Sequence, residues 1–150
     1  ETALLSLQEK FPDKLSISID YNEVLSHKIE ASSDFFLMPS RYEPCGLNQI
    51  YSLRYGSLPI VRNTGGLADT VIDASDKNIS DKTATGVTFK ESTAIQLEDA
   101  VNRAVAIFHK AKLLKQMRLT AMKQNFSWEQ SSLEYEKLYF LAINKPEGMK

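Results

Sequence analysis

The chain has 150 residues, with 18 Lys and Arg against 19 Asp and Glu, a formal charge of -1 and 43% apolar residues. These figures allow one domain with a real hydrophobic core and give no basic stripe suited to a nucleic-acid backbone, though a mononucleotide remains a permitted ligand. The lone cysteine, Cys45, excludes an internal disulfide and a four-cysteine metal site, and no apolar run reaches membrane-spanning length.

The chain starts at Glu1, with no signal peptide, so a fragment or processed chain is expected. The scarcity of cysteine fits a reducing compartment. Thr2 to Lys10 reads as the tail of a helix, broken by Phe11-Pro12-Asp13. Leu15-Ser16-Ile17-Ser18-Ile19 alternates strictly and predicts a strand with one buried face near a sheet edge. Asn22 to Ala31 predicts a helix capped by Asn22, with Val24, Leu25 and Ile29 inward. Phe35 to Met38 is apolar without alternation and predicts a strand covered on both faces, ended by Pro39.

Leu47 to Arg54 predicts a helix with apolar positions at Leu47, Ile50, Tyr51 and Leu53, closed by a left-handed Gly56. Leu58 to Val61 reads as a strand with its proline near the start, and a short helix follows around Leu67 to Ile72. Asp73 to Thr85 is polar and predicts an exposed, mobile excursion, followed by a strand over Gly86 to Phe89. Thr93 to Lys110 carries a helical stripe at Ala94, Leu97, Val101, Val105 and Phe108, and Leu113 to Gln124 continues it after a break. Ser127 with Gln130 starts a last helix whose apolar side is Leu133, Tyr135, Leu138, Tyr139 and Leu141, with Trp128 as a packing anchor. Asn144 to Lys150 reads as a frayed tail. The alternation of elements implies an α/β fold with parallel strands, of which four are visible.

The candidate chemistry sits in two loops after consecutive strands, where open α/β sheets bind ligands. The first, Pro39 to Leu47, carries Arg41, Glu43, Cys45 and Gly46. Glu43 can accept hydrogen bonds from sugar hydroxyls or offset positive charge at an anomeric carbon; the plainer alternative is a solvated glutamate. Arg41 can clamp a phosphate or fix the loop through a carboxylate. Main-chain N–H groups around Cys45, Gly46 and Leu47 suit phosphate oxygens or a sugar hydroxyl. Cys45 itself reads better as a small buried thiol than as a nucleophile. Thr64-Gly65-Gly66 is a second turn suited to anions, with several amides directed inward. Tyr21 can stack on a base or simply pack, and His109 reads as a surface or packing residue. No Walker lysine, dinucleotide fingerprint or metal-ligand spacing is present.

The run Phe35-Phe36-Leu37-Met38-Pro39-Ser40-Arg41-Tyr42-Glu43-Pro44-Cys45-Gly46-Leu47-Asn48-Gln49 closely resembles the signature of bacterial glycogen synthases and plant starch synthases. So do Arg54-Tyr55-Gly56, Pro59-Ile60-Val61, Thr64 to Val71 and Phe126-Ser127-Trp128, so that the resemblance runs from about Leu15 to Tyr139. It implies a GT-B architecture of two Rossmann-like domains, with residues 1–150 forming part of the second, donor-binding domain, truncated at its N-terminal side. The implied reaction moves glucose from ADP-glucose to the non-reducing end of an α-1,4-glucan, with retention, by front-face transfer. The resemblance matches Glu43 to the carboxylate beside the donor glucose. It matches Cys45, Gly46 and Leu47 to a donor-contacting turn, Thr64, Gly65 and Gly66 to a second donor loop, and Tyr21 to an aromatic against the base. Arg41 belongs to the motif.

Related transferases often carry a second glutamate eight positions after the first; here that position is Tyr51, which fits the glycogen and starch synthase subgroup. The family's phosphate-binding Arg and Lys lie upstream of this chain, so the isolated chain is expected to be inactive. The implied partners are a nucleotide sugar, an α-glucan and the missing N-terminal domain; no cofactor, metal, nucleic acid or membrane is implied. The location would be cytoplasmic for a bacterial source and plastidic for a plant one. A related retaining transferase that uses UDP-glucose, or a noncatalytic nucleotide- or glucan-binding module, is the alternative.

Overall fold

The computed structural model describes residues 2–144, so the tail from Lys145 onward lies outside the described residues. The elements are α1 (Thr2–Lys10), α2 (Glu23–Ser32), β1 (Phe35–Met38), α3 (Asn48–Tyr55), β2 (Leu58–Arg62), α4 (Gly65–Thr70), α5 (Asp76–Ser80), β3 (Val87–Phe89), α6 (Ala94–Phe108), α7 (Ala111–Met122) and α8 (Trp128–Ile143). The strands form one parallel sheet in the order β1-β2-β3, with Phe35 opposite Leu58 and Ile60 opposite Val87. Parallel neighbours need crossovers, and α3 supplies the first, while α4 and α5 lie in the second.

The central strand decides the core. Leu58 and Ile60 face a cluster built from Val87, Phe89, Leu53 of α3, Ala100, Ala104 and Ile107 of α6, and Leu114, Met117 and Ala121 of α7. Val61 faces the other way, onto Leu67, Val71 and Met38. Both faces of β2 are therefore covered, which is why its sequence reads as a continuous apolar run. α6 packs through Ala100, Ala104 and Ile107, about one residue round from the expected stripe; Val105 and Phe108 are exposed.

Two helix starts follow the caps read from sequence: Asn22 accepts from the Leu25 N–H at 2.9 Å, and Ser127 stands at the cap of α8 without a side-chain bond. Thr93, not read as a cap, accepts from the Gln96 N–H at the start of α6. Gly56 closes α3 at φ 79, the left-handed conformation that glycine adopts without strain.

Several expectations are corrected. Leu15 to Ile19 forms no strand and pairs with none among the described residues; the Ile17 N–H is satisfied by the Gln8 side chain instead. Alternation marks an amphipathic extended segment, but a ladder also needs a neighbour in register. α2 packs on α3 rather than on the sheet, so Val24, Leu25 and Ile29 are exposed and Glu30 is buried. β1 lies at the margin of the sheet, and Leu37 is exposed. The polar stretch from Asp73 to Thr85 is built in: it contains α5, Ala74, Ala84 and Thr85 are buried, and Arg103 donates to both Asp73 carboxylate oxygens at 2.9 Å. α8 buries none of its residues, and Trp128 is 80% exposed rather than a packing anchor.

Candidate functional site

The two loops issue from the carboxyl ends of adjacent parallel strands, β1 at Met38 and β2 at Arg62. They therefore meet on one rim of the sheet. The contact is backbone to backbone. The Gly66 N–H donates to the carbonyls of Glu43 at 3.1 Å and Pro44 at 3.2 Å. A β-carbon on Gly65 would meet the Glu43 carbonyl carbon at 2.9 Å, and one on Gly66 would meet Cys45 C and Cα at 2.8 Å. Only glycine permits this approach, and Gly65 also holds a φ of 47.

This changes the role of the second turn. Of the amides expected to point toward an anion, that of Gly66 closes the seam between the loops and that of Thr64 donates to Arg62. Among the described residues the Gly65 N–H has no protein acceptor. The first loop differs: the N–H groups of Cys45, Gly46, Leu47 and Asn48 have none either. Leu47 is the N-cap residue of α3 and makes no side-chain cap bond. The open amides thus stand at the start of an eight-residue helix, where its partial positive charge favours anions.

Glu43 is half-buried, and its Oε2 accepts from the Ser40 hydroxyl at 3.4 Å. Arg41 is exposed and its side chain makes no ion pair among the described residues. The loop is braced instead by Arg62, whose guanidinium donates to the Arg41 carbonyl and, at 3.1 Å, to the Lys90 carbonyl. Cys45 is exposed, not the buried thiol that its residue type suggests, because the turn lifts it onto the rim. Gly46 holds a φ of 68.

Tyr21 lies in the loop before α2 and is 89% exposed. It lines a hollow of about 380 Å³ between α2 and α3, together with Leu47, Asn48, His27 and Tyr51. The hollow and the glycine seam flank the same turn: Leu47 borders the first, Cys45 the second. Behind the hollow His27 contacts Tyr51 with ring centroids 5.2 Å apart and approaches Glu30 Oε2 at 3.8 Å. Burial pushes the Glu30 carboxyl above its ordinary value, while the nearby His27 pulls it back in part. Among the described residues no group of three or more His, Cys, Asp or Glu is gathered as a metal site, and no helix is long and apolar enough to cross a membrane.

Sequence reasoning assigned no role to Gln49, which is fully buried and bonds three acceptors behind the first loop. The available signal was its place one helical turn after Cys45 and one before the buried Leu53.

A parallel sheet with two loops meeting on one rim defines an open α/β domain of the kind that binds ligands at its strand ends. Residues 8–124 match the family of glycosyl transferases group 1, and the chain belongs to that family. Within it the chain groups with the bacterial glycogen synthases and plant starch synthases of the GT-B fold. Glycogen synthase 2 of Nitrosococcus oceani is 48% identical over 150 residues, covering all of this chain and 30% of that protein. Glycogen synthase of Thioalkalivibrio sulfidiphilus is 49% identical over 139 residues, or 93% of this chain and 29% of that protein. The solved catalytic domain of starch synthase IV from Arabidopsis thaliana, bound to ADP and acarbose, superposes with a TM-score of 0.79 at 35% identity, over 96% of this chain and 30% of that one. The chain thus spans about 30% of the length of these relatives.

Proposed function

We propose that this chain is the donor-binding part of a retaining glucosyltransferase that extends an α-1,4-glucan from ADP-glucose. The observation that carries the reading is the 48% identity to a glycogen synthase across every residue of the chain, both rim loops included. The geometry supports it. Open N–H groups at Cys45, Gly46 and Leu47 would receive diphosphate oxygens, and Glu43 on the same loop would orient sugar hydroxyls or offset positive charge at the anomeric carbon. Tyr21, on the hollow beside Leu47, would pack against the base. Arg41 has a side chain free for a phosphate, Gly65 and Gly66 hold the first loop in place from behind, and Thr64 stands beside them at the start of the second turn. The acceptor would attack the face from which the diphosphate leaves. The other domain of a two-domain enzyme would supply the opposite wall, so the chain alone would not turn over.

The test is transfer of radiolabelled glucose to glycogen by the full protein, with ADP-glucose compared against UDP-glucose. ADP-glucose is expected to be the better donor. Glu43→Ala is expected to lower turnover by about a hundredfold or more with unchanged melting, as for loss of one electrostatic stabiliser. Near-native turnover of that variant would remove Glu43 from the chemistry.

A further inference from the structure

The seam between the loops belongs to a longer hydrogen-bonded series. Gln49 Nε2 donates to the carbonyls of Cys45 at 3.0 Å and Gly46 at 3.1 Å, and to Thr70 Oγ1 at 3.2 Å. The Thr70 hydroxyl donates in turn to the Gly66 carbonyl at 2.7 Å. A hydroxyl has one hydrogen, so this bond fixes the direction of the series: Gln49 to Thr70 to Gly66, and from the Gly66 N–H on to Glu43 and Pro44.

Peptide planarity gives the series its consequence. In a trans peptide the carbonyl and the next residue's N–H point in opposite directions, and no peptide bond described here is cis. The carbonyls of Pro44, Cys45 and Gly46 are all drawn back toward Gly66 or Gln49. The N–H groups of Cys45, Gly46 and Leu47 are therefore turned the other way, and these are the amides without a protein acceptor. Gln49 Oε1 is buried with no partner, and the bonds of its amide nitrogen to the two loop carbonyls offset that cost, so the residue is kept for what its nitrogen holds.

We propose that Gln49 and Thr70 are positioning residues for donor binding, which orient three consecutive amides toward the diphosphate without touching it. This assignment rests on the donor reading above.

The experiment is steady-state kinetics of the full protein with Gln49→Met, Thr70→Val, Thr70→Ser and the Gln49→Met/Thr70→Val double variant. Each of Gln49→Met and Thr70→Val is expected to raise the donor KM about tenfold, the size of one lost hydrogen bond, with the glycogen KM unchanged. The double variant is expected to be no worse than the weaker single, because one break opens the series. Thr70→Ser keeps the hydroxyl and is expected to behave as native. Effects that multiply to about a hundredfold in the double variant would overturn the assignment, since independent sites add in free energy. A fall in kcat with donor KM untouched would overturn it too, because lost folded protein moves only the first. If Gln49→Met does not fold, the Thr70 pair decides: a KM raised by valine and restored by serine supports the series, and equal values overturn it. Native protein that turns over neither nucleotide sugar overturns the donor reading itself; native turnover with additive variants overturns this assignment alone.

Discussion

Replacing Gly66 by alanine tests the seam most directly. Gly66 has no positive φ, so the substitution brings no backbone penalty of its own and the effect is steric. The new methyl group would sit 2.8 Å from both Cys45 C and Cα, against 3.4 Å for ordinary contact. The loops must part by at least about 0.6 Å, and by more at the Cys45 carbonyl oxygen. Neither neighbour is a flexible side chain that could swing aside. Overpacking of this kind costs about 1–3 kcal/mol, and the weakened Gly66 bond to Glu43 about 1 kcal/mol more. A loss of about 3 kcal/mol corresponds to a fall of about 6–12 °C in melting temperature for a chain of this size. Misplacing a binding loop by part of an ångström costs about tenfold to a hundredfold in turnover. Thermal unfolding of this chain and glucose transfer by the full protein measure the two effects. A variant that melts within about 2 °C of native, with its donor KM unchanged, would refute the close seam.

Other perturbations separate stability from chemistry. Gly56→Ala forces an L residue into the left-handed cap of α3, while its nearest neighbour, Met122 Sδ at 3.2 Å, is flexible; a loss of about 1–2 kcal/mol with no change in donor KM is expected from denaturant unfolding and kinetics. Glu30→Gln tests the buried carboxyl behind the hollow. Because the folded state raises the Glu30 proton affinity, its contribution to stability is fully present below pH 4.5 and is lost as pH climbs through the raised folded value. Glutamine has no such proton, so the variant is expected to be more stable than native at pH 7 and to lack that decline; parallel stability curves above pH 4.5 would contradict the burial argument.

The parts of the fold legible in the sequence are those set by local chemistry. Asn22 and Gly56 cap helices because a side chain or the lack of one suits the backbone there, and the apolar runs at Phe35 to Met38 and Leu58 to Val61 are strands as read, although only the second is covered on both faces. The meeting of the two loops on one rim followed from parallel strand order. What escaped depends on distant partners. Asp73 reads as loop until Arg103, thirty residues on, pairs with it. Gln49 carries no role in the sequence until Thr70, twenty-one residues on, and two loop carbonyls surround its amide. Leu15 to Ile19 shows the converse, an alternating pattern that forms no strand among the described residues.

Because the rim loops are joined through main-chain atoms, their union is indifferent to what most of the side chains there happen to be. Apart from Gly46, which needs its left-handed backbone, the side chains of this loop leave the seam unchanged, because Gly66 opposite grips carbonyls that every amino acid possesses. Scaffold and selectivity are thereby uncoupled, and a change of preferred sugar or nucleotide can be tried without rebuilding the wall on which it is tried.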